Sequence, residues 1–271
     1  MSLIQALVLG VLQGATEFLP ISSSGHLVLV PWLLGWEHSD FSLTFDTTVH
    51  LGTLLAIIIY FWDEIKKILV GMFETTQTYS LDNYHGKLGW FILIGCIPAI
   101  VVGLLFKDEF ERMFHYEPAV AVFLLVTGLI LFVSERVSSR IRHGDSVTMM
   151  DMLLIGFAQA AAITPGISRS GATIAAGLTR GITREASAHL SFLLSLPIVL
   201  GAGVLQLTET YQEGIAQDEI MLLIVGFLAA ALSGYACIYW LLAYLREHTL
   251  YLFAAYCWIF GLFCLGYYFY Y

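Results

Sequence analysis

Two short polar stretches interrupt an otherwise apolar sequence, and they carry the residue types that could do chemistry. "EFLPISSSGH" (17–26) holds a carboxylate, three hydroxyls and an imidazole, and "TPGISRSGAT" (164–173) holds hydroxyls and Arg169. Glu17 and His26 are of the types that act as a general base, and Ser23 could be a nucleophile if such a base lies within hydrogen-bond reach. A guanidinium fork suits a phosphate group. The two stretches therefore predict a site that binds a phosphate group and reacts with it.

The rest of the chain is too apolar for a soluble protein. It has 271 residues, of which 58% are hydrophobic and 12% charged, whereas soluble domains carry about 25% charged residues. Six apolar segments are long enough to cross a bilayer, and they cover about residues 43–62, 88–106, 118–135, 186–205, 220–245 and 250–270. We predict an all-α polytopic membrane protein. Its net charge of −9 and lack of a basic stripe exclude a nucleic-acid partner.

Two further apolar regions, 3–36 and 150–181, are each broken midway by Pro, Gly and Ser, and they resemble each other. With an offset of 146 the shared residues are Gly10/Gly156, Gln13/Gln159, Ile21/Ile167, Ser22/Ser168, Ser24/Ser170 and Gly25/Gly171. This similarity predicts an internal duplication with halves at about 1–145 and 146–271. Each half then contains one broken segment followed by three full spans.

An odd number of spans in each half predicts that the second half is inverted in the membrane, with the broken segments forming two re-entrant helical hairpins. The positive charges support this topology. One face receives nine of the 12 Lys and Arg residues, in loops 63–87, 136–149 and 180–185 and at Arg246. The other face receives only Lys107, Arg112 and an acidic loop at 209–219. The positive-inside rule then places both termini outside.

The broken segments are also where anion-binding groups are expected. Ser is a good N-cap, and the free N–H groups at a helix start attract anions. We expect Ser22, Ser168, Ser170 and Thr173 to bind phosphate together with Arg169. Simple capping, or for Thr173 a bond to its own helix, is the alternative. An Arg169–Glu17 ion pair that only ties the hairpins together is a further alternative.

The identity of the nucleophile stays open at this level. Ser23 activated by Glu17 or His26, a phosphorylated His26, and direct attack by water all fit the residue types. Glu17 could equally ligate a hard divalent cation, and Gln13, four residues earlier on the same helical face, could add a carbonyl oxygen.

At "EFLPISSSGH" and "PGISRSGAT" the chain resembles the bacterial undecaprenyl-diphosphate phosphatase family, which is associated with bacitracin resistance. The resemblance covers essentially the whole length, and the second motif is highly specific. Gln13 departs from the family pattern, because relatives carry Glu there, and this chain therefore has one carboxylate fewer for a metal ion.

The resemblance implies hydrolysis of undecaprenyl diphosphate to undecaprenyl phosphate, which recycles the carrier lipid for peptidoglycan synthesis. It implies dependence on Mg²⁺ or Ca²⁺, a multi-pass location in the bacterial inner membrane, and a site open to the periplasm. It also maps functional positions onto this sequence, namely Glu17, Ser23, His26, Arg169 and Thr173, with Ser168 beside them. The expected partners are the polyprenyl diphosphate lipid and the membrane.

Several alternatives stay open beside this interpretation. Inverted repeats with broken helices are typical of secondary transporters, so a lipid or anion carrier is the main rival, and a non-catalytic scaffold is the third class. Repeat-related His50 and His189 are expected to pack or hydrogen-bond, and Asp46 to cap a span. The small residues Gly10, Gly14, Gly226 and Gly234 permit close helix approach, either within the chain or in a homodimer.

Overall fold

The computed structural model describes residues 1–36, 43–213, 217 and 219–270, without the side chains of residues 111, 207 and 209–213. The described chain is helical and contains no strand, only an isolated bridge between Arg142 and Ile182. Its first six helices are α1 (Leu3–Phe18), α2 (Ser23–Leu33), α3 (Leu43–Tyr60), α4 (Trp62–Thr78), α5 (Tyr84–Leu105) and α6 (Lys107–Phe114). The next six are α7 (Glu117–Val137), α8 (Met149–Ala161), α9 (Arg169–Thr179), α10 (Arg184–Glu213), α11 (Ile220–Glu247) and α12 (Tyr251–Tyr270).

Six of these helices, α3, α5, α7, α10, α11 and α12, are long and apolar enough to cross a membrane. They coincide with the six predicted spans, and large apolar side chains such as Ile259 and Leu232 stay exposed on their outer faces. In a soluble protein such a surface would aggregate, whereas hydrocarbon solvates it. The prediction of an all-α polytopic membrane protein is confirmed.

The two broken regions fold as helix pairs separated by short irregular segments. Helix α1 ends at Phe18, and Leu19 is extended, as the residue before a proline prefers. Helix α8 ends at Ala161, and Gly166 takes a φ of 92° before α9 begins, a left-handed value that glycine adopts without strain. Since α2 and α9 start at Ser23 and Arg169, the predicted breaks and new helix starts are confirmed.

The first helix of each half packs against the other half. Helix α1 lies against α11, and helix α8 lies against α5, which is the corresponding pair under the 146-residue offset. The contacts use the repeated glycine. A Cβ on Gly10 would lie 2.5 Å from the backbone oxygen of Gly226, and one on Gly156 would lie 2.1 Å from that of Gly95. The small residues therefore bring helices of the same chain together. The boundaries of the repeat and its inverted orientation stay predictions.

Two connections that were predicted to be loops contain helices. Residues 63–87 include α4, whose Gly71 packs on Gly86 of α5, and Lys107 and Arg112 lie on α6. Neither helix forms a continuous apolar run, because an amphipathic helix has apolar residues on one side only. The predicted acidic loop at 209–219 is partly helix, because α10 continues to Glu213. Asp218 and the side chains of Glu209 and Glu213 lie outside the described residues.

Two buried carboxylates bind the arginines of the connections that follow α7 and α9. Glu135 accepts bonds from Arg140, Arg184 and the backbone N–H of Leu250. Asp151 accepts bonds from Arg142 at 2.6 Å and Arg180 at 2.7 Å. Burial raises the pKa of Asp151, but the hydrogen bonds from Arg142 and Arg180 outweigh it and hold that pKa well below its ordinary range. These arginines therefore fasten the connections to the helices.

The α1–α11 contact predicts a clear stability effect for Gly14→Ala. The new Cβ would lie 2.4 Å from the backbone oxygen of Ala230 and 2.0 Å from Oγ of Ser233. Relieving that overlap must separate the two helices, at a cost of about 1–3 kcal/mol. We expect a lower midpoint of thermal unfolding in detergent. Gly266→Ala on α12, where a Cβ meets no atom within 4 Å, is the matched control, and an equal midpoint for both variants would contradict this packing.

Candidate active site

The two broken segments are joined by an ion pair between residues from different halves. Arg169, the first residue of α9, places Nη2 3.0 Å from Oε1 of Glu17 in the last turn of α1. The two side chains are only 16% and 6% exposed. A charge in such surroundings is stable only when it is paired. The predicted convergence of the two polar stretches is therefore observed.

The second carboxylate oxygen of Glu17 has three polar neighbours from the first part of the chain. Ser23 Oγ donates to Oε2 at 2.6 Å, and Gln13 Nε2 donates to the same atom at 3.0 Å. His50 Nε2 lies 3.9 Å away. A hydroxyl this close to a carboxylate can transfer its proton as the oxygen attacks an electrophile. Glu17 and Ser23 thus have the geometry of a base and a nucleophile.

Two further contacts hold the segments against each other. Ser170 Oγ donates to the backbone oxygen of Leu19 at 3.0 Å. Gly25 approaches the other segment closely, because a Cβ built on it would lie 3.4 Å from the Cα of Gly166. The start of each new helix therefore meets the break of the other half.

The predicted phosphate-binding hydroxyls have local partners in the structure. Ser22 Oγ accepts from the N–H of Gly25 at 3.1 Å, and Ser168 Oγ accepts from that of Gly171 at 3.0 Å. These are N-cap bonds at equivalent positions of the two halves. Ser168 Oγ also donates to Oγ of Ser170 at 3.1 Å, since the Ser170 hydrogen is used on Leu19, and Ser22 Oγ lies 3.3 Å from Oγ of Ser24.

Thr173 and Arg169 share a partner that the sequence did not reveal. Thr173 is fully buried and its Oγ1 donates to the backbone oxygen of Arg169 at 2.8 Å, which is the helix bond considered above. The same atom lies 2.6 Å from Oγ of Ser191, and Arg169 Nη1 donates to the Ser191 carbonyl at 3.3 Å. Ser191 on α10 thus supports the guanidinium. Its only sequence signal is its place in "HLSFLL", two residues after His189.

Among the described residues, the partners of His26 differ from those of Glu17 and Arg169. Its Nδ1 is 2.7 Å from the backbone oxygen of Ser22, and its Nε2 is 2.7 Å from the hydroxyl of Tyr256. The ring is 1% exposed and stacks on Tyr256 and Phe260 of α12. The sequence predicted His26 as a site residue but gave no sign of its aromatic surroundings.

The repeat-related histidines both meet carboxylates. His50 was expected to pack or hydrogen-bond, and its Nδ1 does bond the backbone of Asp46, but its Nε2 also faces Glu17. His189 Nε2 lies 2.7 Å from Oε2 of Glu64 on α4. Asp46 was expected to cap a span, but α3 begins three residues earlier, at Leu43, and Asp46 lies inside its first turn. His50 therefore belongs to the edge of the site.

The structure also bears on where a cation could bind. Among the described residues there is no group of three or more His, Cys, Asp or Glu side chains suited to a metal ion. Gln13 Oε1, however, is fully buried and has no hydrogen-bond partner, although the amide is bonded to Glu17 through Nε2. A buried acceptor without a donor needs an explanation, and a cation shared with substrate phosphates would provide one.

The second break depends on one threonine of α7. Thr127 Oγ1 donates to the carbonyl of Gly166 and accepts from the N–H of Ser168, both at 3.0 Å. We expect Thr127→Val to reduce the free energy of unfolding by about 1–3 kcal/mol, since two buried backbone groups lose their partner. Thermal unfolding in detergent measures this. Thr127→Ser keeps the hydroxyl and should restore most of the loss, whereas equal midpoints for the valine variant and the wild type would contradict the assignment.

Comparison with known proteins places the chain in a family. The family model described as "Bacitracin resistance protein BacA" matches residues 6–263. A protein named undecaprenyl-diphosphatase from Halothermothrix orenii is 42% identical over 97% of this chain and 96% of the relative. Proteins of the same name from Geobacter metallireducens and Moorella thermoacetica are 40% and 43% identical, over 94% of each chain. This chain is a member of the bacitracin resistance protein BacA family.

Proposed function

We propose that this protein is an integral-membrane phosphatase that hydrolyses undecaprenyl diphosphate to undecaprenyl phosphate and inorganic phosphate. The relatives that match nearly their whole length carry the name undecaprenyl-diphosphatase. The observation that carries the proposal is the chain of contacts from Ser23 through Glu17 to Arg169. It places a nucleophile, a base and a phosphate-binding cation in one buried cluster. The product is the carrier lipid that peptidoglycan synthesis reuses.

Arg169 is the principal ligand of the diphosphate. The bonds to Glu17 and Ser191 use two of its five N–H donors, which leaves donors for phosphate oxygens. The unbonded N–H groups at the starts of α2 and α9 add a positive field, and the hydroxyls of Ser22, Ser168, Ser170 and Thr173 border the same region. The apolar tail lies among the exposed apolar side chains of the spans.

Ser23 attacks the terminal phosphorus while its proton passes to Glu17. The bond from that phosphorus to the bridging oxygen breaks, and undecaprenyl phosphate leaves. Water then hydrolyses the phosphoserine, and Glu17 returns its proton to Oγ of Ser23. The oxygen and both hydrogens of the water leave with the released phosphate as H₂PO₄⁻, so atoms and charges balance. The distance of 2.6 Å favours Glu17 over His26 as the base for Ser23.

A divalent cation, Mg²⁺ or Ca²⁺, fits beside Glu17. Mg²⁺ commonly binds one or two protein carboxylates and completes its shell with water and substrate phosphates. Glu17 would provide the carboxylate and Gln13 Oε1 a neutral oxygen, which gives a purpose to that unpartnered atom. When bound, the cation would neutralise charge on the phosphates.

The membrane arrangement that accompanies this function is an inverted repeat with two re-entrant hairpins. The nine basic residues then lie in the cytoplasm, both termini lie outside, and the site opens to the periplasmic side of the inner membrane. Helix α1 packs on α11 and the corresponding helix α8 packs on α5, and this matching pair of contacts supports the repeat. A homodimer is compatible with it, although the small residues considered for that contact serve packing within the chain.

The function is tested with purified protein in detergent. Undecaprenyl diphosphate labelled at the terminal phosphate should release inorganic phosphate, and a chelator should abolish release until Mg²⁺ or Ca²⁺ is restored. Transport of the intact lipid across liposomes without phosphate release would establish the carrier function instead. Full turnover in excess chelator would contradict the cation requirement but not the phosphatase activity.

Ser23→Ala tests the nucleophile in the same assay. We expect the rate to fall by at least about a thousandfold, as for other variants that lose a nucleophile, and label trapped on the wild-type protein should be absent from the variant. Ser24→Ala is the matched control on the same segment, and we expect it to remain within tenfold of the wild type. A normal rate for Ser23→Ala would exclude phosphoserine and favour direct attack by water.

A further inference from the structure

The hydrogen bond between Tyr256 and His26 joins the first broken segment to the last helix. The tyrosine hydroxyl lies 2.7 Å from Nε2, and the two rings stack with centroids 5.6 Å apart and planes 11° apart. Phe260, one turn later on α12, stacks on the imidazole at 5.0 Å and 15°. The two stacked rings therefore fix the plane of the His26 imidazole, and hydrogen bonds at both nitrogens fix its rotation in that plane.

The partners of the ring determine where its proton sits. A backbone carbonyl only accepts hydrogen bonds, so Nδ1 must carry the hydrogen that Ser22 receives. Among the described residues no carboxylate contacts the ring, so no negative charge favours the imidazolium. Nε2 is then an unprotonated acceptor, and the Tyr256 hydroxyl donates to it. This is the form of histidine that can accept a proton.

The repeat indicates that this arrangement is not required for the fold of a broken segment. The position equivalent to His26 in the second half is Ala172, in "SRSGAT". That segment forms the same capped helix start, with the Ser168 bond to Gly171 in place of the Ser22 bond to Gly25. The capped start of such a segment therefore forms without an imidazole in the second case, and His26 lies three residues after Ser23, on the same side of α2.

We propose that Tyr256 is a positioning residue for the phosphatase reaction. Its hydroxyl holds Nε2 of His26 unprotonated and directs the imidazole edge, so that His26 can accept a proton from the water that hydrolyses the phosphoenzyme. The proton leaves water for Nε2, the water oxygen bonds to phosphorus, and the phosphorus–Oγ bond of Ser23 breaks. Tyr256 releases Nε2 as that proton arrives, Oγ of Ser23 takes the proton held by Glu17, and His26 then passes its proton to the departing phosphate. The inference rests on the proposed function.

Tyr256→Phe tests this with a minimal change, because it keeps both ring stacks and removes only the donor. We expect kcat to fall by about tenfold to a hundredfold, part of the contribution typical of a general base, with KM for the lipid within threefold of the wild type. Tyr251→Phe, a tyrosine on the same helix that packs on Phe132, is the control and should keep full activity. A kcat for Tyr256→Phe equal to that of the control would overturn the proposal.

Two readouts separate positioning from general support of the structure. If Tyr256 acts through His26, the double variant His26→Ala/Tyr256→Phe should be no slower than His26→Ala, whereas multiplied losses would overturn the proposal. In ¹⁵N-histidine NMR, the signal lost in His26→Ala should show an unprotonated Nε2, and that resonance should shift in Tyr256→Phe. An Nε2 that carries hydrogen in the wild type would also overturn it. Wild-type protein without phosphatase activity would instead refute the proposed function, with the ¹⁵N spectrum still reporting on the bond.

Discussion

The buried ion pair between Glu17 and Arg169 is the interaction on which the rest of this structure depends. Neither charge is stable alone in hydrocarbon, and neither segment can continue as a regular helix through its proline and glycine. Each segment therefore needs the other to neutralise its charge. The remaining contacts, from Ser170 to Leu19 and from Ser191 to Arg169, maintain the geometry of that pair. A phosphate group can bind at such a cluster because Arg169 has further N–H donors beside those that bond Glu17 and Ser191.

The two broken segments share the same local structure but carry different side chains. Both keep the serine N-cap and the glycine three residues later, because these fix the start of a helix. The first helical position is Ser23 in one half and Arg169 in the other, and His26 corresponds to Ala172. In the proposed reaction, the first segment provides the nucleophile and the base, and the second provides the guanidinium that binds phosphate. A symmetric pair of segments would place like charges together, which the buried surroundings would not permit.

Most of the architecture could be predicted because it follows from simple physical rules. Spans follow from runs of apolar residues, and the helix starts at Ser23 and Arg169 follow from capping chemistry. The amphipathic helix α4 was missed because its apolar residues are not continuous. Ser191, Tyr256 and the position of His50 beside Glu17 were missed for a different reason. Each reaches the site from a distant helix, and only the packing of α3, α10 and α12 brings it there. Ser22, Ser168 and Thr173 were assigned to phosphate, yet their observed bonds are to backbone groups of their own helices and to neighbouring serines.

The most direct measurement is a double-mutant cycle on the Glu17–Arg169 pair. The free energy of unfolding in mixed detergent micelles is compared for Glu17→Gln, Arg169→Met and the double variant. Each single change leaves a buried partner unpaired and should cost about 3–5 kcal/mol. The double variant should be less destabilised than the sum by at least about 1 kcal/mol, within the range for residues in contact. Additive losses would show that the two broken segments do not meet through this pair.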